Sequence, residues 1–183
     1  MNIYDYLDQM YEDLQIGDWD RVEAKYRELA QSSSDKKLVN RIEKIDMTEY
    51  KKSLYEALRE AIELAESQSA HAIYFEYDVD NNWTGHFCIC PEYFPETEED
   101  DDWASEWEEE VSGPSLVEYA KIYHEYGDLG DDASKNGITL YLIARTVCTF
   151  SRCVDDLPPT RLAICIAFHD QDPIWRIKEI EQE

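Results

Sequence analysis

Ala72-Ile73-Tyr74-Phe75-Glu76-Tyr77-Asp78-Val79 is the stretch on which the fold turns. Ile73, Phe75, Tyr77 and Val79 fall on one side of an extended backbone, and Tyr74, Glu76 and Asp78 on the other. That alternation predicts a half-buried strand. Asp80-Asn81-Asn82 supplies turn residues, and Trp83–Cys90 follows as a second strand, so the pair reads as an antiparallel hairpin. Both sides of the second strand are fairly apolar, which places it inside a sheet rather than at its edge. Pro91 and Pro95 end it.

Upstream of residue 72 the period is helical. Tyr4, Leu7, Met10, Tyr11 and Leu14 recur at helical spacing until Gly17. Asp18 is placed to cap a second helix carrying Trp19, Val22, Tyr26 and Leu29. Asp35 opens a short helix with Leu38, Ile42 and Ile45, and Thr48 a longer one with Tyr50, Leu54, Leu58, Ala61, Ile62 and Ala65 on one stripe. Downstream, Ser115 and Glu118 match a capping box before Leu116, Tyr119, Ala120, Tyr123 and Tyr126. Ile138–Val154 is apolar on most sides and predicts a buried helix with Arg145 and Arg152 as its charges. Leu162–Phe168 predicts a third strand, with Leu162, Ile164, Ile166 and Phe168 on one face. Ala163, Cys165 and Ala167 lie on the other, and their small size predicts close approach of a helix. Ile174–Ile180 is short and carries no clear period.

The order of helices, hairpin, helices and strand predicts an α+β fold. It comprises a small antiparallel sheet of about three or more strands, covered by helices, with a helical N-terminal third. Residues 1–68 form the helical part and 69–183 the α+β part, together one compact domain. The length of 183 residues and a hydrophobic content of 43% are enough for a substantial core and argue against global disorder.

Charge is distributed very unevenly. Between Arg59 and Lys121 lie 61 residues without a lysine or arginine and with 18 carboxylates. That window therefore supplies most of the net charge of −25. Crowded carboxylates repel one another and destabilise the compact state, so such a cluster points to a cationic partner. The same charge argues against direct binding of nucleic acid or of an anionic membrane. No hydrophobic run reaches the length of a membrane span. Met1-Asn2-Ile3-Tyr4-Asp5 has neither a basic nor an apolar region of the secretory kind. The five cysteines have no framework spacing and are expected as reduced thiols of a cytoplasmic protein.

Catalytic signatures are lacking, and no enzyme or cofactor is expected. His86, Cys88 and Cys90 share one face of the second strand, where zinc would need a fourth ligand such as His71 or Cys165. Alternate strand positions share a face in any case, and cysteine is commonly buried, so these thiols are expected to be metal-free. Cys148 and Cys153 stand five apart without a predictable base. Asp78, Asp80 and Asn82 begin like a calcium loop, but Trp83 and Ile89 occupy the glycine and glutamate positions. There is no phosphate-binding glycine motif and no nucleophile elbow.

The remaining signal is the acidic segment, residues 92–113. Glu98-Glu99-Asp100-Asp101-Asp102 and Glu106-Trp107-Glu108-Glu109-Glu110 flank Trp103. Tryptophans are uncommon in solvated linkers. Trp103 and Trp107, four apart, are expected on one face of a short helix, as aromatic anchors inside a charged rim. In these residues the chain resembles the immunity proteins of bacterial toxin systems, which neutralise a cognate and often basic toxin. The resemblance implies that Glu98, Glu99, Asp100, Asp101, Asp102, Trp103, Glu106, Trp107, Glu108, Glu109 and Glu110 contact a basic toxin domain, possibly a nuclease, and mask its site. Two alternatives stand beside it. One is an inhibitor that mimics nucleic acid, and the other a thiol- or metal-dependent enzyme using His86, Cys88 and Cys90.

Overall fold

A computed structural model describes residues 2–98, 100–130 and 132–180. Its fold is α+β. The N-terminal helices α1 (Ile3–Leu14), α2 (Trp19–Ser33), α3 (Lys36–Glu43) and α4 (Thr48–Gln68) precede strands β1 (Ala72–Asp78) and β2 (Thr84–Cys90). Then come β3 (Glu109–Ser115), α5 (Val117–Tyr126), α6 (Ala133–Asp155), β4 (Ala163–Phe168) and β5 (Trp175–Lys178).

Local chemistry sets most boundaries. Asn2 and Asp5 form a reciprocal capping box at the start of α1, which buries Ile3, Leu7, Met10, Tyr11 and Leu14. Asp18 accepts from the Arg21 N–H at 3.1 Å and opens α2. Asp132 accepts from the N–H groups of Ser134 and Lys135 and starts α6 five residues earlier than the apolar run alone predicts. Two expected caps are corrected. Thr48 is already helical and its N–H is held by Asp46, while Ser115 ends β3 instead of capping α5.

The five strands are ordered β3-β2-β1-β4-β5. β1 and β2 pair antiparallel as expected, with Glu76 opposite His86 and Tyr74 opposite Cys88. The sheet is mixed, not antiparallel throughout, because β4 runs parallel to β1, with Ala72 opposite Ala163 and Glu76 opposite Ala167. Parallel neighbours need a long crossover, and the 23-residue α6 lies in the connection between them. Trp83 belongs to the turn, with φ of 53°, and β2 begins one residue later. β3 runs through the end of the acidic segment, where glutamates conceal its strand character from a hydropathy reading.

One face of the sheet is packed by helices. Ile73, Phe75, Phe87, Ile164 and Ile166 join a core shared with α1 through α6. Phe75 stacks on Phe150 of α6 with centroids 5.2 Å apart, and Trp83 donates its indole N–H to Thr146 at 3.0 Å. In α6 every residue from Asn136 to Ser151 is buried. A Cβ on Gly137 would collide with Ser33, so glycine there permits the close approach of α2 and α6. Arg145 is buried but paired: its Nε meets Glu23 at 3.0 Å, and its guanidinium also donates to the carbonyls of Ile42 and Ile45. Among the described residues no helix is long and apolar enough to cross a membrane.

The opposite face carries Ala72, Tyr74, Cys88, Cys90, Ala163, Cys165 and Ala167. The sequence predicts a helix against these small residues. Instead the irregular segment after β2 lies there, with Trp103, Ala104, Tyr93 and Phe94 packed on them.

Candidate functional site

A groove of about 840 Å³ opens beside this second face. Its lining includes the carboxylates of Glu76, Glu98, Asp100, Asp101, Asp102, Asp170 and Asp172, together with Tyr74, Trp107, His169, Gln171 and Ile174. Among the described residues, no lysine or arginine lines it.

The groove is built from three parts of the chain. β1 contributes Tyr74 and Glu76. The connection from β4 to β5 contributes His169 through Asp172 and Ile174, and the segment between β2 and β3 contributes the rest. The last part is irregular yet anchored. Asp101 accepts from the Ile174 N–H at 2.9 Å and from the Arg176 guanidinium at 2.6 Å. Arg176 is buried on β5, opposite Cys165, and also donates to the carbonyls of Ile174 and Phe94. Its guanidinium lies 5.9 Å from the ring centres of both Tyr93 and Trp103. Burial on its own would lower the pKa of Arg176, but the hydrogen bond and charge of Asp101 more than offset it and keep the cation firmly charged.

Glu76 lies where β1 meets the groove. Its Oε1 is 2.5 Å from His169 Nδ1, and its Oε2 is 3.3 Å from His86 Nε2. The hydrogen bond to His86 holds the Glu76 pKa below the usual carboxylate range, against its partial burial, and His169 adds to the effect. Both imidazoles are in turn raised, chiefly by their hydrogen bonds to Glu76.

The predicted contact residues divide into three groups. Glu98, Asp100, Asp101, Asp102 and Trp107 line the groove. Glu106, Glu108, Glu109 and Glu110 are exposed, the last two on β3, where Glu110 stands opposite Cys88. Trp103 is 2% exposed and packs edge-on against Tyr93 at 5.1 Å. Glu99 lies outside the described residues. The expected shared face is corrected. Asp102–Ser105 is a single 3-10 turn, so Trp103 is part of the core beneath the groove while Trp107, 42% exposed, is left at its rim.

Sequence reasoning missed Glu76, His169, Asp170, Gln171 and Asp172 as members of the site. Alternation along the strand places Glu76 on the face opposite the core, but no spacing in the sequence links it to His169–Asp172. All five cysteines are free and buried. Burial pushes the thiol of Cys90 up to about 12 and that of Cys88 higher. Unaided thiolate chemistry at neutral pH is therefore disfavoured. Comparison of the chain with protein-family models, with curated proteins and with solved structures returned no match.

Proposed function

We propose that this protein binds a basic protein partner through the acidic groove, and that the partner is a toxin domain which it neutralises as an immunity protein does. The observation that carries the reading is the groove's charge. Carboxylates from three chain segments line it, and among the described residues no lysine or arginine does. A concave surface dominated by one sign focuses its field and raises the encounter rate with the opposite sign. Arg176, close beneath it, is committed to Asp101. Trp107 at the rim offers an aromatic face to an incoming arginine or lysine.

In this reading Glu98, Asp100, Asp102, Asp170 and Asp172 attract the partner. Trp107 holds it, and Glu106 and Glu108 extend the acidic rim toward β3. Trp103 supports the groove from below without touching the partner.

The test is co-expression with the product of the adjacent reading frame. Growth arrest by that product alone, relieved by this chain but not by a variant with Asp100, Asp102, Asp170 and Asp172 changed to Asn, is the expected result. A captured partner that is acidic, or whose affinity ignores both these changes and Trp107→Ala, overturns the reading.

A further inference from the structure

We propose that Glu76, His86 and Cys88 form a binding site for a divalent transition metal of the zinc class. The three side chains offer one carboxylate oxygen, one imidazole nitrogen and one sulfur, all within 4.8 Å of one another. This donor set suits zinc or cobalt(II) and is poorly suited to calcium or magnesium, which take oxygen ligands. The inference does not rest on the groove's role in binding a protein.

The register of the sheet brings the donors together. Glu76 lies directly opposite His86, and Cys88 lies two residues further along β2 on the same face. Glu76 Oε2 and His86 Nε2 are 3.3 Å apart. Two ligand atoms about 2.1 Å from a tetrahedral ion are about 3.4 Å apart, so this edge already has the required length. The Cys88 sulfur lies within 4.8 Å of both other donor atoms. His169 holds the other oxygen of Glu76 and so turns Oε2 toward the site, the arrangement by which an outer hydrogen bond orients a carboxylate ligand. His169 is thus a positioning residue.

The surroundings favour a cation. Glu110 stands opposite Cys88, and Asp170 lies 3.7 Å from His169 Nε2. Cys88 is fully buried, whereas His86 and Glu76 are partly exposed, so an ion enters from their side and keeps one position for water. Binding exchanges the Cys88 S–H bond for a metal–thiolate bond, and the proton that His86 Nε2 directs at Glu76 Oε2 must leave that nitrogen as well, so the ion displaces protons from both ligands. Cys90 and His71 do not join the set: Cys90 Sγ is directed to the Cys88 carbonyl, and His71 Nδ1 is 2.6 Å from the Pro91 carbonyl oxygen.

The test uses the full chain, stripped with a chelator and titrated with cobalt(II) alone. One equivalent should bind and produce a thiolate-to-cobalt charge-transfer band in the near ultraviolet. Cys88→Ser should abolish that band, and Cys90→Ser should leave it. His86→Gln and Glu76→Gln should each weaken binding, and His169→Gln should cost roughly tenfold in affinity and shift the visible cobalt bands. Asp100→Asn, which lies in the groove but outside the donor set, should change neither. Absence of the thiolate band at saturating cobalt, or its survival in Cys88→Ser, overturns the site. If Cys88→Ser does not fold, unchanged cobalt affinity in folded His86→Gln overturns it equally.

Discussion

On the helix-facing side of the sheet, Ile73, Phe75, Phe87, Ile164 and Ile166 meet side chains from several helices at once. On the other side, alternate residues of the same strands, among them Ala72, Cys88, Ala163 and Cys165, meet one irregular segment that holds much of the protein's negative charge. The first side is redundant. Phe75 alone has aromatic neighbours in Tyr77, Phe87 and Phe150. The second depends on a few contacts, chiefly Trp103 against the strands and Arg176 against Asp101. Carboxylates repel one another, and a buried cation and a buried indole are the chief contacts that hold the acidic cover down against that repulsion. The contrast separates a face built for stability from a face built around charge.

The largest effect should come from breaking the first face. Phe75→Ala should destabilise the whole domain by about 3–5 kcal/mol, read as a lower denaturant midpoint with one cooperative transition. Trp103→Ala tests the second face. It removes an aromatic side chain of the same buried class and should cost about 3 kcal/mol. Here the loss should be local. Protease should cleave within residues 96–108 while the far-ultraviolet signal of the helices persists. Equal protection of that segment in both variants would erase the distinction between the two faces.

Asp101→Ala should follow, at about 2–3 kcal/mol, because it leaves the Arg176 guanidinium buried beside Tyr93 and Trp103 without its carboxylate. Adding Arg176→Met should restore part of the loss, since replacing both members of a buried pair costs less than removing one. A double variant as unstable as the single one would show that the pair's charge is not what matters.

The two faces were legible to different depths in the sequence. Alternation in Ala72–Val79 and Leu162–Phe168 assigned residues to the two faces correctly, because side-chain direction in a strand has a fixed period. The direction of β4 was not legible, since it depends on how α6 returns the chain. Nor was β3, because Glu109 and Glu110 sit on an edge strand where charge is tolerated and conceals the pattern. In the site, composition singled out the acids of residues 98–110, which local sequence displays. It could not separate Trp103 from Trp107, because a tryptophan serves a core and a rim equally well. Glu76, His169, Asp170 and Asp172 join the groove through the pairing of β1 with β4, a contact between residues far apart in the chain. Sequence spacing carries no trace of it.

The smallest effects on stability should come from the groove's own surface, and they separate stability from binding. Trp107→Ala should alter stability by no more than about 0.5 kcal/mol, because the side chain is largely outside the core. Changing Asp100, Asp102, Asp170 and Asp172 to Asn should raise the unfolding midpoint slightly by relieving repulsion. That gain should shrink as salt is added, since screening acts over about 8 Å at physiological ionic strength. Against a basic partner the two changes should part company. Losing the carboxylates should slow association and flatten its salt dependence, because long-range attraction acts before docking. Losing Trp107 should leave association almost untouched and speed dissociation, because a short-range aromatic contact forms only in the docked complex. Stopped-flow association at two salt concentrations, with a dissociation chase, reads both. If the acid variant loses stability instead of gaining it, the carboxylates are bound into the fold rather than held in reserve, and the contrast between the two faces fails at its charged end.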